Sequence, residues 1–192
     1  MDKRSIWFHA GKITAMESIQ GKAALRSEIR SARPHSSEGL TQNLVKLALE
    51  LGAKRIASYV SDGIEPETTD FNAWVKSSGY ELLLPRINGE DLEFAQGGLS
   101  LGSFGIFEPT GESEELETVD LILLPALAVD RTGVRLGKGK GFYDRALQSL
   151  AKIPLYAVVF DAEVYQQLPH EPHDRRVNGA ITPTAIHHFQ AS

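Results

Sequence analysis

The chain has 192 residues, 42% of them hydrophobic and 23% charged, with a formal net charge of -5 and no cysteine. These values suit one globular domain with a sizeable core and exclude wholesale disorder. They also exclude disulfides, thiol catalysis and cysteine-held metals, and the acidic balance argues against nucleic acid or anionic lipid as a partner.

Lys3, Arg4 and Lys12 surround the apolar patch Ile6, Trp7 and Phe8 near the start. That patch is shorter than a signal-peptide core of roughly 7–15 residues, so residues 1–15 read as a poorly ordered extension of a cytoplasmic protein. No run is long enough to span a bilayer, and residues 16–192 read as a single domain. Ile19, Ala23, Leu25 and Ile29 predict a helix over 16–33, ended by Pro34, with Lys22, Arg26 and Arg30 as a basic stripe. A second helix passes through Leu40, Leu44, Leu47 and Leu51 and closes on Gly52.

Residues 55–60 read as a strand with a polar exit loop over 61–66, and 68–77 as a helix with Phe71, Trp74 and Val75 inward. A short strand over 81–84 is expected to stop at Pro85, and a weaker one covers 92–95. Residues 97–111 read as a glycine-rich loop with a turn at Glu108 and Pro109. The apolar run 119–124 suits a strand covered on both faces, continued extended over 125–129. After a second glycine-rich loop, a helix over 142–150, a buried strand over 155–160 and a last short strand over 180–182 complete the chain. Such alternation predicts an α/β fold with a mostly parallel sheet.

The strongest chemical signal is the run Asp130 to Arg145, DRTGVRLGKGKGFYDR. It is expected to leave the carboxyl end of a strand and open a helix, which is where parallel sheets bind ligands. Glycines at 137, 139 and 141 let successive N–H groups converge on an anion, while Arg135, Lys138, Lys140 and Arg145 concentrate cations in an acidic chain. A polyanion such as a nucleotide triphosphate is the simplest ligand. The run is no Walker A loop, because glycine follows each lysine, and Phe142 stands where a Rossmann fingerprint needs its third glycine. Asp161 does lie about 20 residues on, which leaves a dinucleotide reading open on spacing.

The segment LLPALAVDRTGVRLGKGKGFYDR resembles the long signature of the 5-formyltetrahydrofolate cyclo-ligase family. Lys22-Ala23-Ala24-Leu25-Arg26, Gly63-Ile64-Glu65-Pro66-Glu67-Thr68, Phe104-Gly105-Ile106-Phe107-Glu108-Pro109 and His173-Asp174 resemble four further family segments, so the likeness runs from about 22 to 182. The resemblance implies a three-layer α/β/α fold related to sugar-phosphate isomerases and coenzyme A transferases. It implies a monomeric ATP- and Mg²⁺-dependent enzyme that closes 5-formyltetrahydrofolate to 5,10-methenyltetrahydrofolate.

On this resemblance ATP is bound by Lys22, Arg26, Arg135, Leu136, Gly137, Lys138, Gly139, Lys140, Gly141, Phe142 and Tyr143. The folate is bound by Val60, Glu65, Lys138, Gly139, Lys140, Gly141 and Phe142. Arg135, Lys138, Lys140 and Tyr143 are the catalytic candidates, and Asp144 and Asp174 the Mg²⁺ ligands. His170 and His173 have a metal-like spacing, but hard Mg²⁺ disfavours imidazole. Asn178 stands where many family members carry an acid, which implies an altered Mg²⁺ affinity if that position organises the metal. The competing readings are a fold-related enzyme of a sugar phosphate or coenzyme A ester, and a nucleotide- or folate-binding module without turnover.

Overall fold

The computed structural model describes residues 15–34, 36–102, 104–148, 150, 152–170 and 175–189. The expected extension therefore lies outside the described residues apart from Ala15, as do His173 and Asp174. Helix α1 spans Ala15–Ala32 and α2 Leu40–Glu50, followed by β1 Arg55–Ala57, α3 Thr69–Ser77, β2 Glu81–Asn88 and β3 Asp91–Ala95. Next come β4 Leu99–Leu101, β5 Phe107–Pro109, β6 Leu121–Pro125, β7 Ala128–Asp130, β8 Arg135–Leu136 and α4 Phe142–Ala146. The chain closes with β9 Leu155–Val158, β10 Val164–Tyr165, β11 Gly179–Ile181 and β12 Ile186–His188.

A seven-stranded sheet in the order β12-β11-β9-β6-β1-β2-β3 forms the centre. The five inner strands are parallel, and β3 and β12 are antiparallel edges. Side chains alternate across it, as the pleat requires. Ile56, Leu82, Leu121, Leu123, Tyr156, Val158 and Ile181 pack with Leu44 and Leu47 of α2 and Phe71 and Val75 of α3. Their neighbours Ala57, Leu83, Ile122, Leu124, Leu155, Ala157 and Ala180 face the other way, against Leu147 and Leu150. Tyr143 and Ala146 of the short α4 and the turn after it cover this face, opposite α2 and α3, and complete the three layers expected.

Order in this sheet locates the site. From β1 the chain crosses through α3 to β2 on one side, whereas β6 lies on the other side of β1. The loops leaving the carboxyl ends of β1 and β6 thus diverge and open a crevice, the standard ligand position in such sheets.

Several elements differ from the sequence-based expectation. β2 runs through Pro85 because its pairing with β1 covers Glu81, Leu82 and Leu83, and from Leu84 its ladder is with β3, so a missing N–H is tolerated. The expected loop over 97–111 does not turn at Glu108 and Pro109; both residues lie in β5, paired with β4, and the reversal is closed by bonds of Gly102 with Gly105 and Ile106. After Pro125 the chain is extended again in β7, in line with the expectation, but there it pairs with β8 and β10 in a separate three-stranded sheet. The helix expected over 142–150 ends at Ala146, and β10 and β12 lack a clear period in the sequence because each has only two or three residues.

Candidate active site

The loop after β1 is shaped by its own short polar side chains. Asp62 accepts hydrogen bonds through Oδ1 from the N–H groups of Ile64 (3.1 Å) and Glu65 (3.2 Å), and Ser61 Oγ donates to the Glu65 carbonyl (3.0 Å). Tyr59, buried at the start of this loop, donates its hydroxyl to the Pro66 carbonyl (2.7 Å). These bonds present the carboxylates of Asp62 and Glu65 to the crevice. Val60, expected as the last residue of the strand, lies three residues beyond β1 and packs against the α2/α3 core.

The glycine-rich loop closes the other side. Gly139 and Gly141 have φ of +99° and +70°, in the left-handed region where a Cβ is strained. Alternation of such residues with ordinary ones is the backbone pattern of a nest, the curl of main-chain amides that suits an anion. The basic stripe of α1 lies against this loop. Arg26 Nε donates to the Gly137 carbonyl (2.9 Å) and Arg30 Nη2 to the Lys138 carbonyl (3.2 Å). Helix and loop, over a hundred residues apart in sequence, thereby become one cationic wall.

Lys138 joins the two sides. Its ammonium pairs with Asp62 Oδ2 and with Glu65 Oε1 (2.6 Å). Burial raises the Glu65 carboxyl above the usual carboxylate range, and the Lys138 charge only partly offsets it. Asp62 goes the other way: burial would raise its carboxyl, but the bond and charge of Lys138 with the Ile64 and Glu65 amides outweigh that and lower it. Tyr143 at the start of α4 is half-buried, its ring 6.4 Å edge-on from Phe94. Its hydroxyl is pushed well up by burial and then by the Glu65 charge, so it stays a neutral donor.

Lys140 faces the β4–β5 hairpin, its ammonium 3.6 Å from the centre of the Phe104 ring and 5.8 Å from that of Phe142. Phe142 also lies under the guanidinium of Arg145 (5.4 Å). Leu136 is buried in β8 beneath the nest. Arg135 donates Nη2 to Asp144 Oδ1 and Nη1 to the carbonyl of Arg175. The segment resuming after Asp174 is thus tied to the same guanidinium as Asp144. The Asp144 side chain is 47% exposed and the Arg135 side chain 5%.

Among the described residues no group of three or more His, Cys, Asp or Glu side chains is arranged to hold a metal. A hard cation taking one or two carboxylates, with phosphate and water for the rest, needs no such group. Asp144, an open carboxylate beside the nest, fits that donor chemistry. Asn178 is engaged elsewhere. Its Oδ1 accepts the Leu155 N–H (2.8 Å) and its N–H bonds the Leu155 carbonyl (2.8 Å), at the amino end of the parallel strands and opposite the crevice. Asp161 is engaged within the fold, where Thr182 and Thr184 both donate their hydroxyls to its Oδ1.

Asp62 was not singled out in the sequence. Ser-Asp-Gly signals a turn, but nothing local shows that the aspartate meets Lys138 from 76 residues away.

The family model for the 5-formyltetrahydrofolate cyclo-ligase family matches residues 18–183. A 5-formyltetrahydrofolate cyclo-ligase of Mycolicibacterium smegmatis is 31% identical over 178 residues, covering 86% of this chain and 89% of its own length. One of Mus musculus is 29% identical, covering 83% and 88%. The solved 5,10-methenyltetrahydrofolate synthetase of Aquifex aeolicus superimposes with a TM-score of 0.74 at 26% identity, covering 89% of this chain and 94% of that one. A Mycoplasma pneumoniae structure at 22% identity and a TM-score of 0.69, covering 84% and 98%, shares the fold.

Proposed function

Since the chain belongs to the 5-formyltetrahydrofolate cyclo-ligase family, we propose that it uses ATP to close 5-formyltetrahydrofolate to 5,10-methenyltetrahydrofolate, with ADP and phosphate as the other products. The observation that carries this reading is Lys138, which stands in the amide nest and touches Glu65 across the crevice. One cation thus faces both a place for phosphates and a carboxylate suited to the N–H groups of a pterin.

Ring closure must remove the oxygen of an amide-like formyl group, a poor leaving group. Transfer of the γ-phosphoryl forms a phosphorus–oxygen bond to the formyl oxygen and breaks the one to ADP. N10 then attacks the formyl carbon, loses its proton, and the carbon–oxygen bond breaks with release of phosphate. Both steps depend on positioning and charge neutralisation rather than on a protein nucleophile. The nest at residues 137–141 would hold the phosphates, with Lys22 and Arg26 closing from α1 and Lys138, Lys140 and Arg135 stabilising charge as it develops. Glu65 would orient the folate beside Val60 and Phe142, and Tyr143, kept neutral, would donate a hydrogen bond. Asp144 and Asp174 would hold Mg²⁺, which when bound neutralises phosphate charge.

The same reading makes the protein a cytoplasmic monomer acting on small molecules, without nucleic acid or membrane. Its acidic, cysteine-free composition accords with that, and among the described residues no helix is long and apolar enough to cross a bilayer. The test is optical: the methenyl product absorbs in the near ultraviolet where the substrate does not. An absorbance rise that needs both ATP and Mg²⁺ is expected. Binding of either ligand without that rise would leave a binding module.

A further inference from the structure

A second ion pair lies near the crevice and is not used by the chemistry above. Arg33, the first residue past α1, donates Nε to Glu163 Oε1 (2.7 Å) and Nη2 to Oε2 (3.1 Å), with side-chain exposures of 1% and 4%. The same Nη2 donates to the carbonyl of Ala126 (2.6 Å), the first residue beyond β6. Glu163 Oε2 in turn accepts the Phe160 N–H (2.8 Å), and the guanidinium lies 5.4 Å over the Phe160 ring. One buried pair therefore joins the end of α1 to the loops leaving both β6 and β9.

We infer that Arg33 and Glu163 are positioning residues for ATP, fixing the rotation and height at which α1 holds Lys22 and Arg26 over the glycine-rich loop. The inference rests on the proposed role of those two cations. Apolar anchorage of α1 among the described residues is thin: Ile29 is buried and Leu25 partly so, against Leu127, Ala128, Val134, Leu136 and Leu168. Apolar contacts of that kind tolerate sliding, whereas a bidentate arginine–carboxylate bond has one geometry. Slip by a single residue turns a helix face by about 100°, which would carry Arg26 off the Gly137 carbonyl. Stability alone does not call for such a pair, because buried ion pairs seldom outperform apolar replacements of the same volume. Arg33 Nη1 indeed has no hydrogen-bond partner among the described residues. Directionality is what the pair adds.

The experiment compares Glu163→Gln, Arg33→Lys and the apolar double variant Arg33→Met/Glu163→Leu with the unmodified protein. Readouts are melting temperature, KM for each substrate, and ATP binding by calorimetry with Mg²⁺ present and folate absent. The single variants are expected to raise KM for ATP and weaken ATP binding at least about fivefold, while KM for the folate stays within about twofold. The double variant is expected to recover the melting temperature but keep the weak ATP binding. Recovery of ATP affinity together with stability would show a purely structural pair and overturn the inference, as would equal rises in both KM values. Should Glu163→Gln fail to fold, Arg33→Lys, which keeps the charge and loses the fork, decides alone. If the unmodified protein binds ATP but makes no methenyl product, the cyclo-ligase reading fails while the binding comparison still judges the pair. If it binds no ATP, both fall.

Discussion

Arg33–Glu163 and Arg135–Asp144 both pair a buried arginine with a carboxylate and differ most in how far water reaches that carboxylate. The first is sealed, with the carboxylate 4% exposed and two further main-chain groups bonded to the pair. The second leaves its carboxylate 47% exposed at the mouth of the nest. A sealed carboxylate cannot exchange its partner without leaving a charge stranded in the interior, so its use is to fix geometry. An open carboxylate is reached by water and ions without unfolding, which suits Asp144 to the metal-holding role proposed for it. Burial, not residue type, thus sets these two pairs apart.

That contrast can be broken most directly at the open end. Asp144→Ala and Lys140→Ala are each expected to lower turnover at least tenfold, about 1.4 kcal/mol of barrier, with the fold intact by circular dichroism. Normal turnover in both folded variants would remove them from the chemistry. The sealed pair predicts the opposite signature, a selective loss of ATP affinity in Glu163→Gln with turnover at saturating ATP largely kept.

Glu65 probes the contrast from the other side, since its side chain is only 7% exposed and yet it is proposed to bind the folate. Its carboxyl is more basic in the fold than in the unfolded chain, chiefly through burial. Its contribution to stability is therefore present at low pH and lost as pH rises through the raised value. Glu65→Gln is expected to raise the melting temperature at neutral pH by a few degrees, on the order of 1 kcal/mol, while weakening folate binding. A lower melting temperature in calorimetry would contradict that sign. Asp62, held below its usual range by Lys138, has the reverse linkage and supports the fold until the medium becomes strongly acid. The folate KM of the unmodified protein should accordingly climb on the acid side as Glu65 protonates, before Asp62 does. The smallest effect is expected at Asn178. Asn178→Asp should move the Mg²⁺ concentration for half-maximal activity by less than about twofold, because the residue sits at the other end of the sheet.

Much of this protein follows from residue order alone. Helical spacing of Ile29 with Lys22, Arg26 and Arg30 places α1 and its basic stripe, and the apolar run at 119–124 places a strand covered on both faces, because these signals are local periods. The glycine and lysine alternation at 137–141 likewise places a cationic turn with left-handed glycines, the basis of the anion site proposed there. Tertiary structure decided what local periods cannot carry. It set the strand order that opens the crevice between β1 and β6, and it brought Lys138 to Asp62 and Glu65. It turned Glu108 and Pro109 from a loop into a strand, and it set Asn178 at the amino end of the parallel strands. The physical reason is common to all four. Each depends on partners tens of residues away or more, or on a ladder only the folded sheet supplies, and the free energy of such pairings appears once the sheet has closed around them.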